Sequence, residues 1–248
     1  MKPSVEVIEP KLFAGAVADE IVASVRDVVD EHGRCSIVLA GGSTPSSIYR
    51  MLTKPPRVED VDWAKITMYW GDERWVPHTD NMSNFKMTQE TLLSQLPSPG
   101  PQIFPVNTAL SSPEAGAEAY SKTIATQEKL AAGQMPVFDI VLLGVGEDGH
   151  TASLFPKSEI IAKGSTRIAE AVKHPEDGKV RITLTPEALF KARHVFFIVK
   201  GDGKADVVKR VLEGNDPVLD VPARLYQQAA DRVTFFLDSG AAQRLSKN

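Results

Sequence analysis

The chain has 248 residues, and 28 Lys and Arg against 32 Asp and Glu give it a formal net charge of −4. Hydrophobic residues make up 42% and charged residues 24% of the sequence, close to the values of ordinary globular proteins, which excludes a largely disordered, collagen-like or coiled-coil chain. The charges are well mixed, and nothing in them suggests nucleic acid or a membrane surface as a partner.

Cysteine usage and apolar patterning bear on the compartment. The single cysteine, Cys35, cannot form an internal disulfide, and no Cys/His cluster has the spacing of a zinc site. The opening residues MKPSVEVIEP lack the long apolar core of a signal peptide, and no apolar run approaches the roughly 18 residues of a membrane span. We therefore expect a cytoplasmic protein without a bound metal.

Apolar runs alternate with amphipathic stretches along the chain. Helical spacing predicts a first helix over residues 11–32, which Gly33 can end, and Ser83 or Asn84 is a candidate cap for a later helix. One of the other predicted helices carries Phe85, Leu92 and Leu93. The rest cover residues 45–52, 113–132, 186–192, 203–213 and 222–230. The predicted strands cover residues 36–40, 65–70, 138–144, 181–185, 194–200 and 233–238. The connections include residues 71–84 and 97–112.

This alternation implies βα units. The strand over 138–144 is apolar throughout its middle, as a sheet covered on both faces requires. We predict one α/β domain over residues 1–248, with a three-layer α/β/α architecture and a mostly parallel, Rossmann-like sheet. Ligands of such sheets bind outside the carboxyl ends of the strands, and the polar, glycine-rich motifs of this sequence follow strands.

The first such motif is Gly41-Gly42-Ser43-Thr44-Pro45, between a predicted strand and a helix. The glycines allow close backbone approach to a ligand, and the exposed N–H groups and the dipole of the helix favour an anion. Ser43 and Thr44 can cap the helix. A plain strand-to-helix turn would carry the same residues, so both interpretations stay open.

The second motif is GDERWVP, at residues 71–77. Arg74 offers a planar, permanently charged fork that suits phosphate or carboxylate, and Asp72 or Glu73 could hold that fork in place. The alternative is a surface ion pair, which is common and weak. We interpret His78, in the same loop, as a solvated histidine.

The third motif, GVGEDGHTASLFP at residues 144–156, formally contains the G-x-G-x-x-G pattern of dinucleotide-binding loops. We reject that interpretation because Glu147 and Asp148 would place negative charge where a pyrophosphate lies, and because Pro156 leaves little room for the following helix. The acidic residue expected at the end of the next strand has no clear candidate, since Glu170 precedes that strand.

His150 is instead the candidate chemical centre of this loop. An imidazole titrates near neutral pH and suits proton transfer, and Asp148 could orient the ring or hold its charge. Free N–H groups in the glycine loop, which contains Gly146 and Gly149, could stabilise an oxyanion. A capping or core histidine is the alternative, but the setting at a strand end favours the functional role.

Arg181, in RITLT, and Lys204, in VKGDGKA, add two cations at strand ends. Lys204 follows two glycines at a predicted helix start, where it can bind phosphate as a point charge. Each alone would be an ordinary surface residue, but with Arg74 and the GGST turn they indicate a pocket for a dianionic phosphate. No G-x-S-x-G nucleophile elbow is present, so covalent catalysis has no evident agent.

With these motifs the sequence resembles the 6-phosphogluconolactonases of the devB type, enzymes of the oxidative pentose phosphate pathway. The segments that carry the resemblance are LAGGSTPSSIYRML (39–52), GDERWVPHTDNMSN (71–84), FDIVLLGVGEDGHTASLFP (138–156), RITLTPEAL (181–189) and VKGDGKADVVKRVLEG (199–214). The resemblance implies a fold like that of glucosamine-6-phosphate deaminase, ribose-5-phosphate isomerase and the coenzyme A transferases.

The resemblance also implies a mechanism. His150 would activate a water that attacks the lactone carbonyl, with Asp148 as the orienting carboxylate, and protonated His150 would return the proton to the departing ring oxygen. Phosphate and sugar binding would fall to Gly42, Ser43, Thr44, Arg74, Arg181 and Lys204. No metal or organic cofactor is implied. The expected partner is a small sugar-phosphate lactone, and we expect a monomer or weak homo-oligomer.

Two alternatives stay open. Related sugar-phosphate deaminases carry a motif like D-G-H-I-A-F-N-E-P, with a glutamate five places after the histidine, whereas Phe155 occupies that place here. They also have a DEY-type sequence where this chain has DERWVP. A non-catalytic sugar-phosphate sensor would keep the same pocket and need no general base.

Overall fold

The computed structural model describes residues 2–246. The helices of this part of the chain are α1 (Phe13–His32), α2 (Ser43–Leu52), α3 (Asn84–Thr91), α4 (Pro113–Gln127), α5 (Glu159–Lys163), α6 (Pro186–Phe190), α7 (Ala205–Leu212) and α8 (Ser239–Ala242). The strands are β1 (Ser4–Ile8), β2 (Cys35–Leu39), β3 (Ile66–Trp70), β4 (Asp72–Arg74), β5 (Gln102–Ile103), β6 (Ile140–Leu143), β7 (Ala169–Lys173), β8 (Val180–Leu184), β9 (His194–Val199) and β10 (Val233–Asp238). The 3-10 helices are Trp63–Lys65, Leu93–Gln95, Asp202–Lys204 and Pro222–Arg232.

The strands of residues 2–246 form two sheets. Seven strands make the larger sheet in the order β1-β10-β9-β6-β2-β3-β5, and every neighbouring pair in it is parallel. Helices cover both faces of this sheet, which confirms the predicted three-layer α/β/α fold. The smaller sheet, in the order β4-β8-β7, is antiparallel. No helix in the described range is both long and apolar enough to cross a membrane.

Successive side chains of the central strands pack on opposite faces of the larger sheet. Ile37 and Leu39 of β2 join the core formed with α1 and α2, while Val38 joins the core formed with α4, α6 and α7. On that second face, Phe197 of β9 stacks on Phe235 of β10 with 4.5 Å between the ring centroids. Burial on both faces explains why these strands have continuous apolar sequences rather than alternating ones.

The smaller sheet corrects two predictions. Residues 181–185 were expected to belong with the parallel strands, but β8 lies in the antiparallel sheet. Residues 71–84 were expected to be a loop, but they include β4. A strand of three residues, like β4, is too short to show a periodic pattern.

Two buried tyrosines complete the backbone hydrogen bonding where the chain leaves the central strands. The Tyr49 hydroxyl, on α2, accepts a hydrogen bond from the Ala40 N–H at 2.9 Å and donates one to the Ala40 carbonyl at 2.8 Å. The Tyr120 hydroxyl, on α4, makes the same pair of bonds with Trp70, at 2.7 and 2.9 Å. Because Ala40 follows β2 and Trp70 ends β3, both tyrosines fix the backbone at the edge from which the polar motifs emerge.

We expect Tyr49→Phe to lower the free energy of unfolding by about 1–3 kcal/mol, because a buried N–H and a carbonyl at Ala40 would lose their partner. Urea denaturation followed by circular dichroism measures this change. An unchanged midpoint would contradict a stabilising role for the hydroxyl.

Candidate active site

A pocket of about 350 Å³ opens at the carboxyl ends of β2, β3 and β6. The chain passes from β2 to β3 on one side, while β6 lies on the other side of β2, so the pocket lies where the strand order reverses. The predicted site residues that line it are Gly42, Arg74, Gly146, His150, Arg181 and Lys204. Within residues 2–246, those that adjoin the pocket without lining it are Ser43, Thr44, Asp148 and Gly149.

His150 and Asp148 form a hydrogen-bonded pair in the loop after β6. Nδ1 of His150 lies 2.6 Å from Oδ1 of Asp148, and the His150 backbone N–H donates to the same oxygen at 3.0 Å. Partial burial opposes the charge on Asp148, but the hydrogen bonds from His150 outweigh it and hold the pKa of this carboxyl below its usual range. A carboxylate at Nδ1 favours the proton on that nitrogen, which leaves Nε2 of the neutral ring as an acceptor.

Internal hydrogen bonds fix the backbone of this loop. The Gly146 N–H donates to the His150 carbonyl at 2.8 Å, and the Gly149 N–H donates to the Gly146 carbonyl at 3.0 Å. Both amides are therefore used within the loop, and the expectation that they are free for an oxyanion does not hold in this structure. Gly149 has a φ of +93°, a region that favours glycine, and its carbonyl accepts a hydrogen bond from the Ala223 N–H at 2.8 Å.

The N-terminus of α2 meets the same pocket. Gly41 and Gly42 form part of the wall, and the chain turns at Gly42 with a φ of +103°. The helix begins at Ser43, so its first N–H groups have no partners within the helix and are directed toward this end. Gly42 is the N-cap residue, so Ser43 and Thr44 do not cap the helix as predicted, and neither of them lines the pocket.

Arg74 of β4 and Arg181 of β8 are directly paired across the antiparallel sheet. Both line the pocket, and Nε of each is buried without a hydrogen-bond partner among the described residues. Burial and the neighbouring charge of Arg74 lower the pKa of Arg181, which still remains cationic at neutral pH. Nη1 of Arg74 donates to the Met82 carbonyl at 2.6 Å, so the expected pairing of its guanidinium with Asp72 or Glu73 is wrong.

Glu73 organises the loop after β4 instead. Its buried carboxylate accepts hydrogen bonds from the backbone N–H groups of Arg74, Asn84 and Phe85, at 2.7, 2.7 and 2.8 Å, and from the Ser83 hydroxyl at 3.0 Å. Burial raises the pKa of Glu73, and these hydrogen bonds oppose the rise. The loop is therefore folded around one carboxylate, and Ser83 is the observed cap of α3.

Lys204 brings a third cation from the part of the chain that follows β9. It ends the 3-10 helix Asp202–Lys204, directly before α7, which agrees with its predicted place at a helix start. Its side chain lines the pocket that His150 also lines. No group of three or more His, Cys, Asp and Glu side chains in residues 2–246 is arranged to hold a metal ion.

The pocket also contains residues to which the sequence analysis assigned no role in binding substrate: Asp72, Asn84, Ser153 and His174. Oδ2 of Asp72 accepts a hydrogen bond from the Ser153 hydroxyl at 2.6 Å, and the Asn84 amide donates to Oδ1 at 3.1 Å. Asp72 could have been found from its place directly after a strand. Ser153 and Asn84 lie in the segments 144–156 and 71–84, which the sequence also marks, whereas His174 enters the pocket through tertiary folding and has no comparable signal in the sequence.

A sequence profile of the family described as glucosamine-6-phosphate isomerases/6-phosphogluconolactonase matches residues 9–235. The chain belongs to this family. A 6-phosphogluconolactonase from Synechocystis sp. is 33% identical to it over 246 residues, with 99% of each chain covered.

Solved structures extend the comparison. The structure of a 6-phosphogluconolactonase from Trypanosoma brucei is similar with a TM-score of 0.85 and 31% identity, over 99% of each chain. A monomeric glucosamine-6-phosphate deaminase is similar with a TM-score of 0.78 and 22% identity, over 98% of this chain and 100% of that one. The second likeness concerns the fold alone.

We expect Gly146→Ala to break the hydrogen bond between His150 and Asp148. A Cβ at position 146 would lie 2.1 Å from Nδ1 of His150 and 2.7 Å from Oδ1 of Asp148, which is closer than non-bonded atoms approach. In a crystal structure of the variant, we expect these two atoms to lie more than about 3.5 Å apart, beyond hydrogen-bonding distance.

Gly144→Ala is the matched control for this geometry, because a Cβ at position 144 would have no other atom within 4 Å. The pair should keep its hydrogen bond in that variant. An intact pair in Gly146→Ala would show that the glycine is not what permits the contact.

Proposed function

We propose that this chain hydrolyses 6-phospho-D-glucono-1,5-lactone to 6-phosphogluconate, with His150 as the general base. The observation that carries the proposal is the presence, in one pocket, of the ring held by Asp148 and of three cationic side chains, Arg74, Arg181 and Lys204. The imidazole is suited to activating water, and the three cations are suited to holding a dianionic phosphate.

The hydrogen bond to Asp148 prepares His150 for this role. With the proton on Nδ1, Nε2 takes a proton from water as the oxygen attacks the lactone carbonyl. The carboxylate then stabilises the imidazolium that forms. Collapse of the tetrahedral intermediate breaks the bond to the ring oxygen, which receives the proton from Nε2. Because the pKa of Asp148 lies below its usual range, the carboxylate stays charged throughout.

The oxyanion needs a donor other than the amides of Gly146 and Gly149, which bond within their loop. The amide of Gly42, which caps α2 and lines the pocket, and the adjoining amide of Ser43, the first of α2, carry the positive end of the helix dipole. We assign them to the oxyanion or to a sugar hydroxyl. The lactone is a reactive ester, so positioning, base catalysis and charge stabilisation suffice.

The deaminase alternative is weakened by Phe155. This side chain is buried, and its ring lies 5.2 Å from that of His150, at the place where the deaminase motif has a glutamate. An apolar ring there cannot shuttle the proton that ring opening of an amino sugar requires.

Cytoplasmic location, a single domain over residues 1–248, and a monomeric or weakly associating state remain predictions.

We expect His150→Ala to lower kcat by about 10²- to 10⁴-fold, the usual contribution of a general base, with binding of 6-phosphogluconate largely kept. Hydrolysis of freshly made lactone, followed as acid release with a chelator present, measures the rate. Isothermal titration calorimetry with 6-phosphogluconate measures the binding.

His194→Ala is the matched control, because His194 is exposed at the start of β9 and does not line the pocket. Equal turnover by His150→Ala and the wild type would refute the mechanism. A wild-type protein that binds 6-phosphogluconate but hydrolyses no lactone would support the sensor. Deamination of glucosamine 6-phosphate would support the other alternative.

We expect Lys204→Met to raise KM for the phosphorylated lactone by about 10-fold or more, because a charged hydrogen bond to the phosphate is lost. Unphosphorylated glucono-1,5-lactone should be hydrolysed as by the wild type. Lys191→Met, at an exposed lysine outside the pocket, controls for the loss of one charge. Equal losses on the two lactones would contradict a phosphate role for Lys204.

A further inference from the structure

A second histidine lines the pocket and has no role in the mechanism described above. His174 directly follows β7, at the start of the turn to β8, and its side chain is largely buried, with 21% exposed. Its ring meets that of Phe155 edge-on, with 4.8 Å between centroids. Phe155 also contacts His150, so one aromatic ring links the two histidines.

The register of the antiparallel sheet places His174 beside the arginines. Arg181 is paired with Arg74 on one side and with Val172 on the other. The His174 N–H donates to the Lys179 carbonyl at 2.9 Å, which continues the same ladder. Because successive side chains alternate, His174 lies on the face of Val172, Arg181 and Arg74, diagonally across from Arg181.

The backbone of the turn fixes the role of each ring nitrogen of His174. The N–H groups of Glu176 and Asp177 point at Nδ1, at 3.3 and 3.4 Å, so Nδ1 of the neutral ring is the acceptor and Nε2 carries the proton. Oδ1 of Asp177 lies 3.2 Å from Nδ1 without hydrogen-bond geometry, so it does not direct the proton of the neutral ring to Nδ1; in the protonated ring Nε2 carries a proton as well. Nε2 is thus a donor in both states, and it has no partner among residues 2–246.

We infer that Nε2–H of His174 binds a phosphate oxygen of the sugar-phosphate substrate, next to Arg181. This inference rests on the proposed function. The phosphate is the natural acceptor because the face that carries His174 also carries two guanidinium groups with unpartnered Nε atoms. His174 is then a binding residue that favours phosphorylated over unphosphorylated sugars.

The two histidines therefore have opposite tautomers and opposite tasks. In His150 the carboxylate of Asp148 accepts a hydrogen bond from Nδ1–H, and Nε2 is free to act as a base. In His174 backbone N–H groups occupy Nδ1, and Nε2 can only donate. The same residue type supplies proton transfer at one place in the pocket and anion binding at another.

The test compares His174→Phe with His174→Gln. Phenylalanine keeps an aromatic ring against Phe155 but has no donor, whereas the amide of glutamine retains an N–H close to the position of Nε2. We expect His174→Phe to weaken binding of 6-phosphogluconate about tenfold, measured by calorimetry, and to raise KM for the lactone by a similar factor with kcat kept. His174→Gln should restore most of the affinity.

The same measurements with gluconate and glucono-1,5-lactone, which lack the phosphate, separate phosphate binding from other roles of His174. His194→Phe is the matched histidine control. Unchanged affinity for 6-phosphogluconate in His174→Phe would overturn the inference. Equal losses of affinity for phosphorylated and unphosphorylated compounds would overturn it and indicate a contact with the sugar. Loss of kcat without rescue in His174→Gln would also overturn it and indicate a structural role. Absence of lactone hydrolysis by the wild type would refute the proposed function, while the calorimetric comparison would still test His174.

Discussion

The hydrogen bond of 2.6 Å between His150 and Asp148 is the interaction on which the site depends. It orients the imidazole, favours the proton on Nδ1 and holds the pKa of the Asp148 carboxyl below its usual range. The surrounding loop is shaped to permit it: position 146 has no room for a side chain, and the Gly149 carbonyl is tied to Ala223 in a distant part of the sequence. The proposed general base is thus held in a loop by backbone hydrogen bonds.

The two sheets contribute different residues to the pocket. The parallel sheet brings the His150 loop, the turn at Gly42 before α2 and Lys204 to one edge, where its strand order reverses. The antiparallel sheet adds Arg74, Arg181 and His174 on one face. Because the whole chain has a formal charge of −4, attraction of an anionic substrate is local and comes from these few groups.

Features encoded within one short segment could be predicted from the sequence. The buried strands β2, β3 and β6 have continuous apolar runs, and His150 and Asp148 are close because they are two residues apart in one loop. Features made by distant segments could not. β4 becomes a strand only by pairing with β8, and β7 likewise, so neither the second sheet nor the approach of His174 to the pocket leaves a periodic pattern. The hydrogen bonds of the Gly146 and Gly149 amides could not be predicted, because their acceptors are backbone carbonyls, which no sequence motif marks.

The tautomer of His150 is the property from which the rest of the chemistry follows, and nitrogen-15 NMR of the imidazole can observe it directly. The spectrum is recorded on protein labelled at histidine, at a pH where the ring is neutral, with His150→Ala used to assign the signals. We expect Nδ1 to carry the proton and Nε2 to be bare. A neutral His150 with its proton on Nε2 would contradict the proposal that His150 is the base that activates water.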